Sequence, residues 1–114
     1  MTDTILVTGG AGYIGAHMVK ALRQAGFRPV VLDDLSSGHR SAVRGEELHV
    51  GDVGDAAFVD RVLADVKPAA VMHFAGFIQV GESVQDPGKY FRNNVSATQV
   101  LLDAMRAHDI RRFI

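Results

Sequence analysis

Four glycines, Gly9, Gly10, Gly12 and Gly15, fall within seven positions directly after the apolar run at 4–7. Glycine loses more conformational entropy on folding than any other residue. Such a dense cluster is therefore expected only where the backbone needs a conformation or a close approach that a side chain would prevent. The short, apolar and β-branched run before it predicts a strand that is buried on both faces. The glycines therefore lie where the main chain leaves a buried strand and must approach something closely.

Downstream of the glycines, predicted helices alternate with predicted strands. Gly26 is placed to end the first helix, and Asp55 is placed to cap the second. The predicted helices cover 13–25, 55–66 and 86–108; the predicted strands cover 4–7, 29–33, 47–50 and 69–76, and a last strand begins near residue 111. Strands and helices at this spacing form βαβ units, whose right-handed crossovers place helices on both faces of a parallel sheet. We therefore predict a doubly wound, Rossmann-type α/β fold.

Apolar spacing predicts which side of each helix faces the sheet. The residues expected to lie on these faces are Ile14, Met18 and Leu22 in the first helix, Phe58, Val62 and Val66 in the second, and Val95, Leu102 and Met105 in the third. The segment 36–45 is polar, carries turn residues and is predicted to be a loop.

Composition limits the class of protein. The 114 residues suffice for one domain, and the 12 Lys and Arg against 13 Asp and Glu give no sign of a nucleic-acid or membrane partner. The lack of cysteine excludes a disulfide framework and a thiolate metal site. No secretion signal or membrane-length apolar run is present, so we expect a cytoplasmic protein. The last residues, DIRRFI, stop within the pattern of a strand, from which we expect residues 1–114 to be an incomplete domain of a longer chain.

The glycine pattern fits two related spacings. Residues 10–15 read G-x-G-x-x-G, and Gly9, Gly12 and Gly15 lie three residues apart. With a strand before it, a helix after it and an acidic residue at the end of the next strand, the pattern is typical of a dinucleotide-binding turn. A Cβ at Gly9 or Gly12 would obstruct the turn or a pyrophosphate bound at the helix start, and Gly15 would let the helix pack against the strand. The alternative is a glycine-rich turn that binds no ligand.

Asp33 ends the second predicted strand, 18 residues after Gly15. A carboxylate at that place accepts hydrogen bonds from the adenosine ribose and repels a 2′-phosphate, which favours NAD over NADP as the cofactor. Arg40 would favour the opposite choice, but it falls in a predicted loop and not at a strand end. The alternative for Asp33 is a turn or cap residue.

Two further polar residues lie at the ends of predicted strands. Asp52 is interpreted equally well as an acceptor for the adenine amino group or as a helix cap, a role for which Asp55 competes. His73 is interpreted as a hydrogen-bonded core histidine in preference to a catalytic one, and no spacing around it is typical of metal ligands. The small residues Ala75 and Gly76 would let the middle of a cofactor pass over the backbone.

Several segments together carry a family resemblance. The stretches TGGAGYIG, LDDLSSGHR, GDV, HFAGFIQVGESVQDPGKYFRNNV and LLDAMRA resemble the extended short-chain dehydrogenase/reductase family, and the fourth is most similar to its UDP-glucose 4-epimerases. The resemblance covers the whole chain and implies an NAD-binding Rossmann domain. It also implies a parent enzyme, often a homodimer, that interconverts UDP-glucose and UDP-galactose by transient oxidation of the sugar at C4.

The same resemblance assigns residues to the NAD site. It places Tyr13 and Ile14 against the pyrophosphate, and Asp33, Asp34, Leu35, Ser36, Ser37 and Gly38 around the adenine ribose. It places Asp52 and Val53 at the adenine, which favours the ligand interpretation of Asp52, and Phe74, Ala75 and Gly76 along the middle of the cofactor, with Asn93 holding that wall. Similar sequences often carry lysine where this chain has Ile78, so we expect one charge contact to NAD to be missing.

The catalytic Tyr-x-x-x-Lys of that family is missing. Four residues after Tyr13 stands His17, and four residues after Tyr90 stands Asn94. In the family this tyrosine, its pKa lowered by the lysine and the cofactor, removes the proton of the 4-hydroxyl with help from a Ser or Thr. We therefore expect no catalytic residue and no substrate domain here, weak NAD binding, no epimerisation and poor solubility. The alternatives are another NAD-dependent nucleotide-sugar epimerase or dehydratase, and a non-catalytic NAD-binding module.

Overall fold

A computed structural model describes residues 3–36, 38–75 and 87–114, except the side chains of residues 87 and 89–93. In chain order the elements are β1 (Thr4–Thr8), α1 (Tyr13–Gln24), β2 (Arg28–Asp33), a short 3-10 helix (Arg40–Val43), β3 (Glu47–Val50), α2 (Ala56–Val66), β4 (Ala70–His73) and α3 (Pro87–Ala107). The predicted alternation of strands and helices is confirmed. No helix in the described ranges is long and apolar enough to cross a bilayer.

The four strands form one parallel sheet in the order β3-β2-β1-β4. Leu6 in the central strand β1 pairs with Val30 in β2 and with Val71 in β4. The end of the chain continues the sheet beyond β4, because Phe113 forms a parallel bridge with Val71 and the Ile114 N–H donates to the Val71 carbonyl at 2.9 Å. The last strand predicted near residue 111 is therefore present as a single bridge.

Each face of the sheet has its own apolar core, as a sheet with helices on both faces requires. On one face α2 and α3 cover a cluster that contains Leu6, Val71, Leu63 and Leu101. On the other face α1 and the 3-10 helix cover a cluster that contains Val7. The doubly wound α/β fold predicted from the sequence is confirmed.

The first helix ends as predicted, but it faces the sheet differently. Gly26 has φ +92°, and the N–H groups of Gly26 and Phe27 donate to the carbonyls of Arg23 and Leu22, which is a Schellman C-cap. The prediction that Ile14 faces the sheet is wrong, since Ile14 is 64% exposed. Gly15 and Val19, four residues apart, are the buried residues of α1, whereas the predicted Leu22 packs half-buried against the same cluster and Met18 is half-buried.

The second helix and the fourth strand differ from the prediction in smaller ways. Asp55 caps α2 as predicted, with its carboxylate accepting from the Phe58 N–H at 3.2 Å. Val62 is buried as predicted, whereas Phe58 and Val66 are half-buried at the edge of the cluster. The strand predicted over 69–76 covers Ala70–His73 in the structure; the Phe74 N–H still donates to the Thr8 carbonyl, and Gly76 lies outside the described residues.

The inward face of α3 agrees with the prediction at Met105 but not at Val95 and Leu102. Val95 and Leu102 are exposed, whereas Leu101 is fully buried and Met105 is buried as predicted. A shift of one residue rotates a helix by about 100°, so the spacing alone did not distinguish Leu101 from Leu102.

The neighbours Leu101 and Leu102 provide a matched test of this packing. We expect Leu101→Ala to lower the free energy of unfolding by about 2–5 kcal/mol, since it leaves a cavity between α3 and the sheet. Leu102 is 39% exposed, and we expect Leu102→Ala to cost less than about 1 kcal/mol. Urea unfolding followed by circular dichroism measures both values, and equal losses would contradict the packing of α3.

Candidate functional site

The glycine turn joins the end of β1 to the start of α1 at the carboxyl edge of the parallel sheet. Gly9 has φ +70°, its N–H donates to the Leu32 carbonyl at 2.8 Å, and its carbonyl accepts from the Gly12 N–H at 3.1 Å. A Cβ on Gly15 would lie 2.1 Å from the Gly9 carbonyl oxygen. Gly15 therefore allows α1 to pack against the end of β1, as the sequence predicts.

Two of the other glycines are also required by packing. A Cβ on Gly9 would lie 2.6 Å from the Ala75 nitrogen, so the Phe74–Ala75 peptide rests directly on the turn. A Cβ on Gly10 would lie 2.8 Å from Cγ1 of Val31 in β2. Because Gly9 and Gly10 have no side chain, the turn can pack closely against β2 and against the segment after β4.

Gly12 differs from its neighbours, because the space around it is open. A Cβ there would meet only the Gly9 carbonyl oxygen, at 3.4 Å, which is close to ordinary contact. Gly12 is the N-cap of α1, no side chain caps the helix, and its first turn carries no acidic residue. The first helical hydrogen bond runs from the Ala16 N–H to the Gly12 carbonyl, so the N–H groups of Tyr13, Ile14 and Gly15 precede it.

This first turn of α1 has the properties of an anion site. Unpaired N–H groups and the positive end of the helix dipole favour a negative group there by about 0.3–1 kcal/mol when exposed, and by more when partly buried. Tyr13 and Ile14 are exposed beside these N–H groups. Their assignment to a pyrophosphate stays a prediction, but their exposure leaves them able to contact a ligand.

Asp33 is buried at the end of β2 and fixes the glycine turn. Its residue is 7% exposed, its Oδ2 accepts from the Ala11 N–H at 2.9 Å and its Oδ1 accepts from the Leu35 N–H at 2.7 Å. The turn role that was the alternative for Asp33 is therefore real. It does not exclude the predicted ribose contact, because each carboxylate oxygen can accept a second hydrogen bond.

The loop after β2 is fastened to the same turn. The Ala11 carbonyl accepts from the His39 N–H at 3.2 Å, and a Cβ on Gly38 would lie 2.7 Å from that carbonyl. Leu35 has φ +63°, and the Asp34 carboxylate accepts from the Ser36 N–H at 2.9 Å. Of the residues predicted around the ribose, Asp33 and Gly38 contact the glycine turn and Leu35 packs against the cluster that contains Ala11. Asp34 and Ser36 are exposed, and Ser37 lies outside the described residues.

The residues predicted at the adenine divide into two roles. Asp52 is exposed, and its Oδ1 accepts from the Gly54 N–H at 2.8 Å. Since Asp55 caps α2, Asp52 is a turn residue rather than the cap. Val53 is buried in the apolar cluster under α2, so its side chain packs in the core. Contact of either residue with adenine stays a prediction.

His73 is half-buried and hydrogen-bonded through both ring nitrogens, which agrees with the structural role that the sequence favoured. Its Nδ1 lies 2.6 Å from the Thr8 hydroxyl, its Nε2 lies 3.2 Å from the Thr98 hydroxyl, and its ring packs against Phe113. Burial lowers the pKa of His73 below the usual 6.5. The ring is therefore held in its neutral form between β1, β4 and α3.

The structure thus brings most of the predicted site residues to one edge of the sheet. Gly76 and Ile78 lie outside the described residues, and Asn93 lies on α3 with its side chain undescribed. Sequence reasoning missed Ala11, whose N–H and carbonyl are both bound, and the Thr8 and Thr98 partners of His73. The position of Thr8 directly before the glycines was the one available signal. The described residues contain no group of acidic or histidine side chains that could hold a metal ion.

Comparison with known proteins agrees with this geometry. The model of a family described as "NAD dependent epimerase/dehydratase family" matches residues 5–114. The UDP-glucose 4-epimerase of Rhizobium leguminosarum bv. trifolii is 51% identical over 112 residues, which cover 98% of this chain and 34% of that protein. This chain therefore spans about a third of the length of that curated relative.

Solved structures give the same result. The UDP-glucose 4-epimerase from Brucella ovis in complex with NAD has a TM-score of 0.92 and 48% identity, covering 98% of this chain and 34% of that one. The UDP-glucose 4-epimerase from Bifidobacterium longum in complex with NAD+ and UDP has a TM-score of 0.89 and 35% identity, covering 96% of this chain and 35% of that one.

Gly12 and Gly15 provide a test of the turn without any ligand. We expect Gly15→Ala to lower the free energy of unfolding by more than about 2 kcal/mol, because the methyl group would overlap the Gly9 carbonyl. Gly12→Ala should cost less than about 1 kcal/mol, because alanine fits the backbone there and loses only the slight N-cap advantage of glycine. Chemical unfolding of both variants measures the difference, and a reversed order would contradict the geometry of the turn.

The lowered pKa of His73 predicts a dependence of stability on pH. His73 takes up its proton near pH 6.5 in the unfolded state and only at lower pH in the folded state. The contribution of neutral His73 to the free energy of unfolding is therefore complete above pH 6.5 and is lost as the pH falls through the folded-state pKa. Unfolding free energies of the wild type and His73→Asn, measured from about pH 8 to about pH 5, isolate this contribution. We expect the advantage of the wild type to shrink towards acid, and an advantage that grows would contradict a neutral, half-buried ring.

Proposed function

The chain belongs to the NAD dependent epimerase/dehydratase family, and we propose that it is the NAD-binding part of a UDP-glucose 4-epimerase. The observation that carries the proposal is the turn between β1 and α1, where the first turn of α1 has no side-chain cap and the space beside Gly12 is open. NAD is the cofactor of this family, and its solved relatives include NAD complexes. The 51% identity to an epimerase favours that activity over the family's other reactions.

The residues present fit NAD at this edge of the sheet. The space beside Gly12 is open, and a Cβ at that position would occupy part of it. The adjacent N–H groups of α1 suit a pyrophosphate in that space. Asp33 is held by the backbone with acceptor capacity remaining for ribose hydroxyls. The Phe74–Ala75 peptide forms the neighbouring wall, where its approach to Gly9 leaves no room for a side chain.

When bound, NAD would supply a hydride acceptor that oxidises C4 of the sugar and returns the hydride to the opposite face. The residues of this chain would bind and orient that cofactor. The first turn of α1 would neutralise part of the pyrophosphate charge, and Asp33 would fix the adenosine end and disfavour a 2′-phosphate. Fixing both ends sets the position of the reactive ring relative to a sugar.

The proton transfer of the reaction would depend on groups outside this sequence. Neither Tyr13 nor Tyr90 has a lysine four residues later. We assign no catalytic role to any residue here, and the chain by itself should not epimerise a sugar nucleotide. For the whole protein we propose UDP-glucose and UDP-galactose as substrates and a role in galactose metabolism, supported by the names of the relatives. We also propose a homodimer and a cytoplasmic location, for which the family resemblance of the sequence is the support.

Titration of the 114-residue chain with NAD, followed by calorimetry, tests the binding role. We expect weak but saturable NAD binding, and NADP binding at least about tenfold weaker because its 2′-phosphate would approach the Asp33 carboxylate. Gly12→Ala should weaken NAD binding while leaving stability nearly unchanged. Equal affinity for NAD and NADP, or NAD binding that Gly12→Ala leaves intact, would contradict the assigned site. Conversion of UDP-galactose by the isolated chain would contradict the absence of catalytic residues.

A further inference from the structure

A polar layer ends the apolar core under α3 at the edge of the sheet that carries the glycine turn. Thr8 in β1 is fully buried, pairs in register with His73 in β4, and lies on the same face of the sheet as Leu6. Thr98 reaches this layer from α3. Buried polar groups are costly unless every donor and acceptor has a partner, so the hydrogen bonds of this layer define its geometry.

The direction of each hydrogen bond in the layer follows from its partners. The Thr98 hydroxyl donates to the Asn94 carbonyl one turn earlier in α3, at 2.8 Å, so towards His73 it acts as an acceptor. His73 therefore carries its proton on Nε2 and donates it to Thr98. Its unprotonated Nδ1 accepts from the Thr8 hydroxyl. The Thr8 oxygen in turn accepts from the Ala75 N–H at 3.3 Å.

This chain of hydrogen bonds leads from α3 to the glycine turn. The Phe74 N–H also donates to the Thr8 carbonyl, at 2.8 Å, so Thr8 holds the segment after β4 through both its backbone and its side chain. The Ala75 nitrogen is the atom that a Cβ on Gly9 would meet. A displacement of Ala75 would therefore move the wall that lies against the turn.

We infer that His73, as the Nε2–H tautomer between Thr8 and Thr98, is a positioning residue. It links α3 to Thr8 and so fixes the position of the Phe74–Ala75 peptide, which forms one wall of the dinucleotide site. It acts through Thr8 and does not contact the cofactor. Thr8, Thr98 and Phe113 contact the ring, and none of these side chains ionises, so no charged partner is needed for the arrangement. The inference rests on the proposed function for its effect on NAD, but the hydrogen-bond chain itself is independent of any ligand.

Thr98→Val and Thr98→Ser are the variants that test this role. Valine keeps the branched shape on α3 and removes the acceptor of the His73 Nε2–H, whereas serine keeps the hydroxyl. In the wild type, long-range ¹H–¹⁵N spectra should show the Nε2–H tautomer. In Thr98→Val we expect hydrogen exchange at the Ala75 N–H to become about fivefold faster and the dissociation constant for NAD to rise by about the same factor, as for the loss of one neutral hydrogen bond. Serine should restore both values.

The outcomes separate this inference from the proposed function. An Nδ1–H tautomer in the wild type overturns the inference without any variant, even if Thr98→Val fails to fold. Wild-type exchange at Ala75 in a folded Thr98→Val chain overturns it as well. If the wild-type chain does not bind NAD, the proposed function fails. The His73 tautomer and the rate of hydrogen exchange at the Ala75 N–H then still decide whether His73 is a positioning residue. Unchanged NAD affinity in Thr98→Val, with faster exchange at Ala75, contradicts the effect on the cofactor site.

Discussion

A Cβ on Gly15 would overlap the carbonyl oxygen of Gly9, at 2.1 Å, so α1 can begin directly at the end of β1 only where the side chain is a hydrogen atom. This contact places the uncapped first turn of α1 at the carboxyl edge of the parallel sheet. That edge is where ligands bind in open α/β sheets, and the N–H groups there suit an anion. The conformational entropy that the glycines lose is the cost of bringing those groups to the edge.

The surrounding residues hold this turn from several sides. Asp33 binds the Ala11 N–H from β2, the loop after β2 binds the Ala11 carbonyl through His39, and the Phe74–Ala75 peptide closes against Gly9. A turn fixed in this way before a ligand arrives loses little further entropy on binding. The same residues therefore serve stability and recognition, which is why a structural role for Asp33 does not compete with a contact to ribose.

Patterns that depend on local spacing were predictable, and contacts between distant residues were not. Alternating elements, the cap at Asp55 and the packing role of Gly15 are properties of short windows, and each is confirmed. On α3 the prediction was right at Met105 and wrong at Leu102, since Leu101 and Leu102 fit an apolar stripe almost equally well. The partners of His73 lie 65 and 25 residues away in sequence, and no local pattern identifies such pairs. The assignments of individual residues to parts of NAD stay predictions.

The most direct measurement of the central claim is a titration of ¹⁵N-labelled chain with NAD, followed through backbone amide resonances. If the first turn of α1 binds the pyrophosphate, the amides of Tyr13, Ile14 and Gly15 should show the largest changes and should saturate together. Changes that are confined to other parts of the chain, or an absence of changes at these three amides when NAD is in excess, would contradict the account.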